Sequence, residues 1–294
     1  ATVCVLRRQR DVFHDLRFER LAEISVGHLY NLRNSAGYRN QRVVQTKTRP
    51  TKAVTIGTRK APAPDNRPGF IRIDSVHQGD LDGVKGLYHI NAVDCVTQWQ
   101  VTASVQTISE AHLLPVIEQM LAQFPFRILG FHADNGSEYV NHRVAGMLDK
   151  LRIEFTRSRP RRSNDNGLAE TKNGAVIRKV FGYAHIEQRH AARFNTFCVE
   201  YLNPFLNFHR PCLFATDVAD PKKPGRIKKV YRPKDAMTPL DKLASLPDAH
   251  QFLKDGVTLE ELQMLACALT DVQAAQELND ARSALFKRVS ARTC

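Results

Sequence analysis

The chain has 294 residues, of which 43% are hydrophobic and 25% are charged. This balance is typical of a soluble globular protein, and no apolar run approaches the roughly 20 residues that a membrane-spanning helix needs, so we expect no membrane partner. Lysine and arginine total 43 against 30 for aspartate and glutamate, which gives a formal charge of +13. So large an excess of positive charge favours a polyanionic partner such as nucleic acid.

The positive charge is concentrated in three stretches that contain no acidic residue. One lies between Glu23 and Asp65 and one between Asp220 and Asp235. The third, in mid-chain, consists of Arg157, Arg159, Arg161 and Arg162. A single run of this kind is often only a solvated loop, but three in one chain favour contact with phosphates. We therefore predict that the mid-chain arginines contact DNA.

The six cysteines show neither a C-x-x-C pair nor the spacing of a disulfide framework. This usage predicts reduced thiols in a cytoplasmic protein. Cys4, His14 and His28 lack the paired cysteines of a zinc site. The chain begins with Ala1 and shows no targeting segment, and we expect its first domain to be truncated at the N-terminus.

Residues 11–33 carry apolar side chains at helical spacing, interrupted near Ser25. Ser25 can cap a second helix, Val26–Asn34, so two short helices joined by a tight turn are predicted. That is the outline of a helix-turn-helix over residues 1–38, although any small helical pair has the same pattern. Its second helix would enter a major groove with His28, Tyr30 and Arg33, and Arg33 is a predicted DNA contact.

A basic linker or DNA-tracking arm, rich in Thr, Pro and Lys, is predicted over residues 39–68. Next come three β-rich runs that favour an antiparallel meander: 70–76, 86–93 and 99–105. A helix capped by Ser109 and a buried parallel strand follow, and that strand ends at Asp134. A helix near 144–151, a strand at 153–156 and a long helix from about Asn166 to Tyr183 complete a mixed α/β layer fold.

The end of the chain is predicted to be helical. Two helices are expected between His190 and Phe208. Residues 213–294 are interpreted as a basic stretch followed by a small helical unit, because Thr258 with Glu261 and Thr270 with Gln273 each match a capping box.

Three carboxylates are distinguished by their positions in this scheme. Asp74 ends the first strand, Asp134 ends the buried strand, and Glu170 lies in the first turn of the long helix. Strand ends and a helix N-terminus can meet at one edge of an α/β sheet. Acids so close together would repel one another, so a divalent cation is implied, and oxygen ligands suit Mg²⁺ or Mn²⁺. Asp94, at the end of the second strand, is an alternative to Asp74.

Three segments around these acids resemble the catalytic core shared by retroviral integrases and bacterial insertion-sequence transposases. They are Ile73–Ser75, His132–Tyr139 and Ser163–Gly174, over a resemblance that spans residues 69–212. The family carries a D, D-35-E signature, and 35 residues separate Asp134 from Glu170 here. The chain lacks the His/Cys zinc module of retroviral integrases, which favours the bacterial branch.

The resemblance implies an RNase H-like mixed five-stranded sheet flanked by helices, and an enzyme that cuts DNA and joins a 3′-hydroxyl to a target. Asp74, Asp134 and Glu170 would be the catalytic acids and would hold two Mg²⁺ or Mn²⁺ ions about 3.5–4 Å apart. The residues expected to shape the surrounding loop and helix entry are Asn135, Gly136 and Asn166. Further phosphate contacts are predicted at Lys172, Arg178 and Lys179.

Details near the motif are also predicted. Asn173 and Gly174 should share the face of Glu170, since they lie three and four residues beyond it on a helix. Asp165 and Glu138 are interpreted as surface acids rather than as partners of the ligands.

The expected partners are double-stranded DNA, as transposon ends and target, and further copies of the chain on that DNA, in a bacterial cytoplasm at the nucleoid. Two alternatives stay open. One is an RNase H-like nuclease that only cuts, and the other is a DNA-binding derivative that has lost catalysis.

Overall fold

The computed structural model describes residues 2–12, 14–35, 56–134, 139, 142–159, 165–219 and 227–290. The chain divides into two compact units, Ala1–Ala53 and Val54–Cys294. Among the described residues, no helix combines the length and apolar character that crossing a membrane requires.

The N-terminal unit contains two α-helices, α1 (Thr2–Asp11) and α2 (Val26–Asn34). Ser25 caps α2 as predicted, because its hydroxyl accepts a 3.0 Å hydrogen bond from the His28 amide. The helix predicted before Ser25 is absent, which corrects that expectation: the segment forms two single 3₁₀ turns, Leu16–Phe18 and Leu21–Glu23. Asp15 bonds the Arg17 amide and so starts a turn, and an α-helix here would lack a buried stripe. The helix-turn-helix therefore stays a prediction.

The second unit is built on a six-stranded mixed sheet with the strand order β1-β8-β7-β2-β5-β6. Its strands are β1 (Thr58–Arg59), β2 (Phe70–His77), β5 (Tyr88–Asp94), β6 (Gln100–Val105), β7 (Gly130–Ala133) and β8 (Glu154–Arg157). The short pair β3 (Asp80–Leu81) and β4 (Val84–Lys85) lies between β2 and β5. Strands β2, β5 and β6 are antiparallel, and β7 and β8 continue the sheet in parallel with β2. The predicted meander, the buried parallel strand and the mixed α/β class are confirmed.

Strand β1 is the sixth strand, which the sequence analysis did not predict. Thr58 and Arg59 pair in parallel with Thr156 and Arg157, and Ile56 is buried just before them. The segment expected to be a linker, 39–68, therefore contributes a short strand to the sheet at Thr58 and Arg59. Pairing with β1 also covers the otherwise open edge of β8.

Helices form two layers around the sheet. The first contains α3 (Glu110–Ala122), α4 (His142–Lys150), α7 (Pro239–Ala244) and α8 (Leu259–Cys267). Its core joins sheet residues such as Ile73 and Phe131 to Leu113, Leu148 and Leu243.

The second layer contains the long helix that carries Glu170, α5. It runs as Gly167–Lys172, a π-helical turn Asn173–Ile177, and Arg178–Phe181. It also contains α6 (Ala191–Phe197, continued by the π-helical turns Cys198–Leu202 and Phe205–His209) and α9 (Asp271–Ser290). Phe181, Phe194 and Leu278 belong to its core.

Asparagines of α6 close the outer edge of β6 in the manner of another strand. Asn207 accepts a hydrogen bond from the Gln100 amide and donates one to the Gln100 carbonyl, both at 2.8 Å. The same two-way pairing repeats along the strand between Asn203 and Thr102 and between Asn195 and Ser104. Every second residue of β6 thus has its backbone bonded to a side-chain amide, which satisfies groups that an edge strand leaves open.

The chain after α6 differs in part from the prediction. The basic stretch contains an antiparallel pair, β9 (Cys212–Ala219) and β10 (Ile227–Met237), where no strands were predicted. Both predicted capping boxes are present, at Thr258 with Glu261 and at Thr270 with Gln273.

Candidate functional site

Asp74 lies on β2, opposite Asn91 of the neighbouring strand β5. Its carboxylate accepts a 2.9 Å hydrogen bond from the Ser75 amide and a 2.7 Å hydrogen bond from the side chain of Asn173. Asn173 lies on α5, three residues beyond Glu170. The first carboxylate of the predicted set is therefore bonded directly to the helix that carries the third.

Helix α5 is fastened to β2 at three levels. Near its start, the Asn166 side chain donates a 3.1 Å hydrogen bond to the Ile73 carbonyl, one residue before Asp74. In its middle, Asn173 bonds Asp74. At its end, the buried Gln78 side chain donates to the carbonyls of Phe181, Gly182 and Ala184. These bonds fix the position of Glu170 relative to Asp74 along the whole helix.

A chain of buried amides supports the central contact. Asn91 donates to the Asn173 side chain at 3.0 Å and to the Ala169 carbonyl at 3.2 Å, and Gln100 donates to Asn91 at 2.9 Å. Asn91 and Gln100 are at most 1% exposed. A fully bonded buried network of this kind holds its members in one arrangement. The sequence analysis missed these residues, although polar side chains within the apolar run His89–Val93 were a signal that this strand faces a polar contact.

Asp134 follows β7, and its strand is held next to β8 by His132. The imidazole Nδ1 lies 2.9 Å from the Thr156 hydroxyl, and Nε2 lies 3.3 Å from the Ser158 hydroxyl. Burial lowers the pKa of His132 to about 4, and the nearby Arg72 adds to the effect, so the ring is neutral at pH 7. The two ring contacts and the bond from the Ser158 amide to the Ala133 carbonyl fix the chain just before Asp134.

Asp134 and Glu170 both lie near enough to Asp74 to influence its carboxyl group. Burial and, to a smaller extent, the negative charges of Asp134 and Glu170 raise the pKa of Asp74 to about 6, while the bonds from Ser75 and Asn173 oppose the change. Such a cluster of oxygen donors with repelling charges suits a hard divalent cation. Within the described part of the chain, however, no three acidic, histidine or cysteine side chains stand at metal-ligating spacing.

Asp94, the alternative to Asp74, has a structural role. It is fully buried, and its carboxylate accepts hydrogen bonds from the amides of Gly69, Val96 and Thr97 and from the Thr97 hydroxyl, at 2.7–3.0 Å. These bonds tie the turn after β5 to the start of β2. Because both carboxylate oxygens are bonded within the protein and the side chain is fully buried, Asp94 is not available to a ligand.

Asp165 is not the surface acid that the sequence analysis favoured. It is 5% exposed and accepts two hydrogen bonds from the Arg159 guanidinium, at 2.9 and 2.8 Å, and a third from the Arg159 amide. This fork-shaped pair lowers the pKa of Asp165 to about 2. Because its charge is compensated within the protein, Arg159 is less suited to the predicted DNA contact than an unpaired arginine would be.

Two other predicted DNA contacts on α5 are also engaged internally. Lys172 is 7% exposed and donates to the Cys212 sulfur at 3.0 Å, which corrects the prediction of a phosphate contact there. Arg178 donates to the His77 carbonyl at 3.1 Å and lies 5.0 Å from the centre of the Tyr183 ring. Lys179 is exposed, and its contact with a phosphate stays a prediction.

The remaining predicted site residues fall into two groups. Arg33 is exposed on α2 beside Tyr30. Arg157 is half-buried, and its burial, with a smaller effect of the neighbouring Arg59 charge, lowers its pKa. The others lie outside the described residues: Asn135, Gly136, Glu138, Arg161 and Arg162.

Comparison with known proteins finds a family model that matches part of the sheet unit. Residues 67–163 match the family model described as integrase core domain. This match covers β2 and Asp74, β7 and Asp134, and the strand β8. The predicted resemblance to an integrase core is therefore confirmed for these residues.

One curated relative and several solved structures are similar to this chain. An uncharacterized protein of Sinorhizobium fredii, y4rM, is 32% identical over 123 residues, which are 42% of this chain and 35% of the relative. The chain thus spans about a third of that relative. The catalytic core domain of BIV integrase is 17% identical with a TM-score of 0.33, over 39% of this chain and 70% of that one. The catalytic core domain of HTLV-2 integrase, in a complex with magnesium, is 15% identical with a TM-score of 0.32, over 38% and 70%.

Proposed function

We propose that this chain, with an integrase core domain over residues 67–163, is a DNA transposase or integrase that cuts and joins phosphodiester bonds at Asp74, Asp134 and Glu170. The reaction class is phosphoryl transfer between polynucleotides. Its substrates would be the ends of a mobile element and a target duplex.

The observation that carries this proposal is the fastening of α5 to β2. Asn166, Asn173 and Gln78 bond the Glu170 helix to the Asp74 strand at its start, middle and end. Catalysis by grouped carboxylates requires that they keep a fixed mutual arrangement, since misplacement by about 1 Å can cost a factor of about 100 in rate. Three buried side chains hold the Glu170 helix against the Asp74 strand, and this fixed arrangement suits catalysis by grouped carboxylates.

The oxygen donors fit Mg²⁺ or Mn²⁺, and Asp74, Asp134 and Glu170 would hold the ions. When bound, the ions would supply Lewis acidity to the phosphoryl group and a more acidic attacking hydroxyl. The raised pKa of Asp74 supports this assignment, because a cation among the three acids would relieve the repulsion that contributes to the shift.

The chain's own residues would orient the ligands. Asn173 holds one oxygen of Asp74, and the backbone of Ser75 holds the other. The neutral His132 keeps the strand before Asp134 against its neighbour without adding positive charge. Exposed Lys179, on the same helix as Glu170, is the remaining α5 residue proposed to meet a phosphate.

Strand transfer can be tested with a duplex that carries the inverted repeats flanking the gene, a supercoiled target plasmid and Mg²⁺. Wild type is expected to link the duplex to the plasmid, and Asp134→Asn and Glu170→Gln are each expected to abolish the product. Glu277→Gln, an exposed acid of α9, is the matched control and should retain it.

The result separates this function from the alternatives. Cleavage of the duplex ends without joining would indicate a nuclease of the same fold. Tight binding of the duplex with neither cleavage nor joining would indicate a DNA-binding derivative.

A further inference from the structure

A buried lysine and a buried cysteine meet between helix α5 and strand β9. Lys172 Nζ donates a hydrogen bond to Cys212 Sγ at 3.0 Å, and the two residues are 7% and 8% exposed. Among the described cysteines, Cys212 is the one whose sulfur accepts a hydrogen bond from a lysine. Neither side chain takes part in the proposed reaction. We call this contact the Lys–Cys pair.

The chain on both sides of Cys212 is fixed. The Arg210 guanidinium donates to the Ala175 carbonyl of α5 at 3.3 Å, and the Gln98 side chain donates to the Leu213 carbonyl at 2.8 Å. The sulfur itself also donates to the Arg210 carbonyl, at 3.8 Å. These bonds hold the sulfur against the end of the Lys172 side chain, so the two reactive atoms stay adjacent without movement of the backbone.

Other described cysteines have different surroundings. Cys198 is fully buried, and Cys267 is exposed on α8. The chain around Cys267 contains no lysine or arginine between Lys254 and Arg282. Cys267 is therefore an internal reference, because it is an accessible thiol without an amine in the chain around it.

We propose that the Lys–Cys pair is a modification site, at which hydrogen peroxide joins the two side chains through a nitrogen–sulfur bond. The first oxidation product of a thiol is a sulfenic acid, which reacts onward with another thiol, with a nitrogen or with more peroxide. Burial slows the approach of a second thiol or a second peroxide to Cys212. The Lys172 amine is already in contact, and groups held in contact react at a very high effective concentration.

The modification takes place in two steps. In the first, the Cys212 sulfur attacks hydrogen peroxide, the O–O bond breaks, and the thiol becomes a sulfenic acid while one water is released. In the second, the Lys172 nitrogen attacks that sulfur, the S–O bond breaks, and the oxygen leaves as a second water. The Lys172 ammonium loses two protons, one to the departing oxygen and one to solvent. Peroxide is the two-electron oxidant, and the sulfur is oxidised.

The product links helix α5 to strand β9. Lys172 ends the first segment of α5, which also carries Glu170, and Cys212 is the first residue of β9. The new bond closes a loop of about 40 residues and so restricts the unfolded chain, which is expected to stabilise the fold. A reducing thiol attacks the same sulfur and releases the amine, so the link is reversible. This inference does not depend on the proposed reaction.

Peptide mapping of the full chain tests the site. Protein treated with hydrogen peroxide is alkylated at its remaining thiols and digested with trypsin. The expected product is a linked pair of peptides in which trypsin has not cut after Lys172, and which is two hydrogen atoms lighter than the sum of its peptides. Dithiothreitol should separate the pair. Cys267 in the same digest should carry oxygen without a link to a lysine.

Two lysine variants are compared with wild type. Lys172→Arg keeps a positively charged donor near the sulfur and should give no linked pair, whereas Lys179→Arg, at an exposed lysine of the same helix, should leave the yield unchanged. Circular dichroism of the untreated variants establishes that they are folded. Peroxide should raise the midpoint of thermal unfolding of wild type by about 5 °C or more and change that of Lys172→Arg by less than about 1 °C.

Three outcomes of the mapping would overturn the proposal. One is a wild-type Cys212 that carries only oxygen, as a sulfenic or sulfinic acid, while trypsin cuts after Lys172 as before. Another is an unmodified Cys212 in protein whose Cys267 is fully oxidised. The third is a linked pair that is one oxygen heavier than expected, since that mass would place an oxygen bridge between the nitrogen and the sulfur.

Discussion

Asp74 and Asp94 are expected to change stability in opposite directions when each loses its charge. Asp94→Asn removes a charge whose burial also raises its pKa, but it retains one acceptor oxygen for four donors and turns an amide toward the Gly69 or Thr97 N–H. The loss of a charge-assisted hydrogen bond and the donor–donor contact should cost about 2–4 kcal/mol. Asp74→Asn removes a charge whose burial and acidic neighbours raise its pKa from 3.8 to about 6.

The size and pH dependence for Asp74 follow from that shift. Each pKa unit corresponds to about 1.4 kcal/mol, and the partial solvent contact of the side chain reduces the total, so Asp74→Asn should stabilise by about 1–2 kcal/mol at pH 7. Because the folded pKa is above the unfolded one, the wild-type protein loses stability as pH rises from about 4 to 6. The variant should therefore match wild type near pH 4 and exceed it at pH 7.

Urea unfolding in metal-free buffer, followed by circular dichroism at pH 4, 5, 6 and 7, measures both variants against wild type. A lower stability of Asp74→Asn than of wild type at pH 7 would contradict this prediction. So would an Asp94→Asn variant that needs as much urea to unfold as wild type does. Similar losses for the two variants would mean that both acids are structural.

Three further predictions concern the supporting contacts. Asn207→Ala should lower the free energy of unfolding in urea by about 2–4 kcal/mol, because it leaves a buried strand N–H and C=O unpaired. The exposed control Asn279→Ala should change this free energy by less than about 0.5 kcal/mol. Asp165, whose pKa is lowered to about 2 by Arg159, should stabilise the fold above pH 4 and lose this contribution as pH falls toward 2. In Asp165→Asn, the free energy of unfolding should therefore depend less on pH between about 4 and 2 than in wild type. Asn173→Ala should slow Mg²⁺-dependent cleavage by about 10- to 100-fold with an unchanged circular dichroism spectrum, and an unchanged rate would exclude a positioning role.

The sequence predicted the sheet because its strands have distinct patterns. The runs around Ile73, Ile90 and Val101 alternate or are uniformly apolar, and hydrophobic periodicity is a local property that one segment reveals by itself. The apolar run before Asp134 placed that acid at a strand end, and the predicted helix start at Asn166 placed Glu170 in a first helical turn, where the structure has them.

Pairing between distant segments could not be predicted in the same way. Arg159 and Lys172 carry charges that a sequence shows as available, and only the fold brings Asp165 and Cys212 to them. Strand β1 is two residues long and forms because β8 offers it an edge. Asp94 was a plausible ligand because the sequence does not show that its oxygens are bonded to Gly69, 25 residues earlier in the chain, and to the turn that follows Asp94.

The measurement that tests the central claim most directly is the metal dependence of Asp134→Cys on a terminal-repeat duplex. A thiolate is a poor ligand for Mg²⁺ and a better one for the softer Mn²⁺. If Asp134 holds a catalytic ion, the variant should lose about 1000-fold or more of the cleavage rate in Mg²⁺ and regain at least about tenfold in Mn²⁺. Full activity of the variant in Mg²⁺, or an equal loss in both metals, would contradict the assignment.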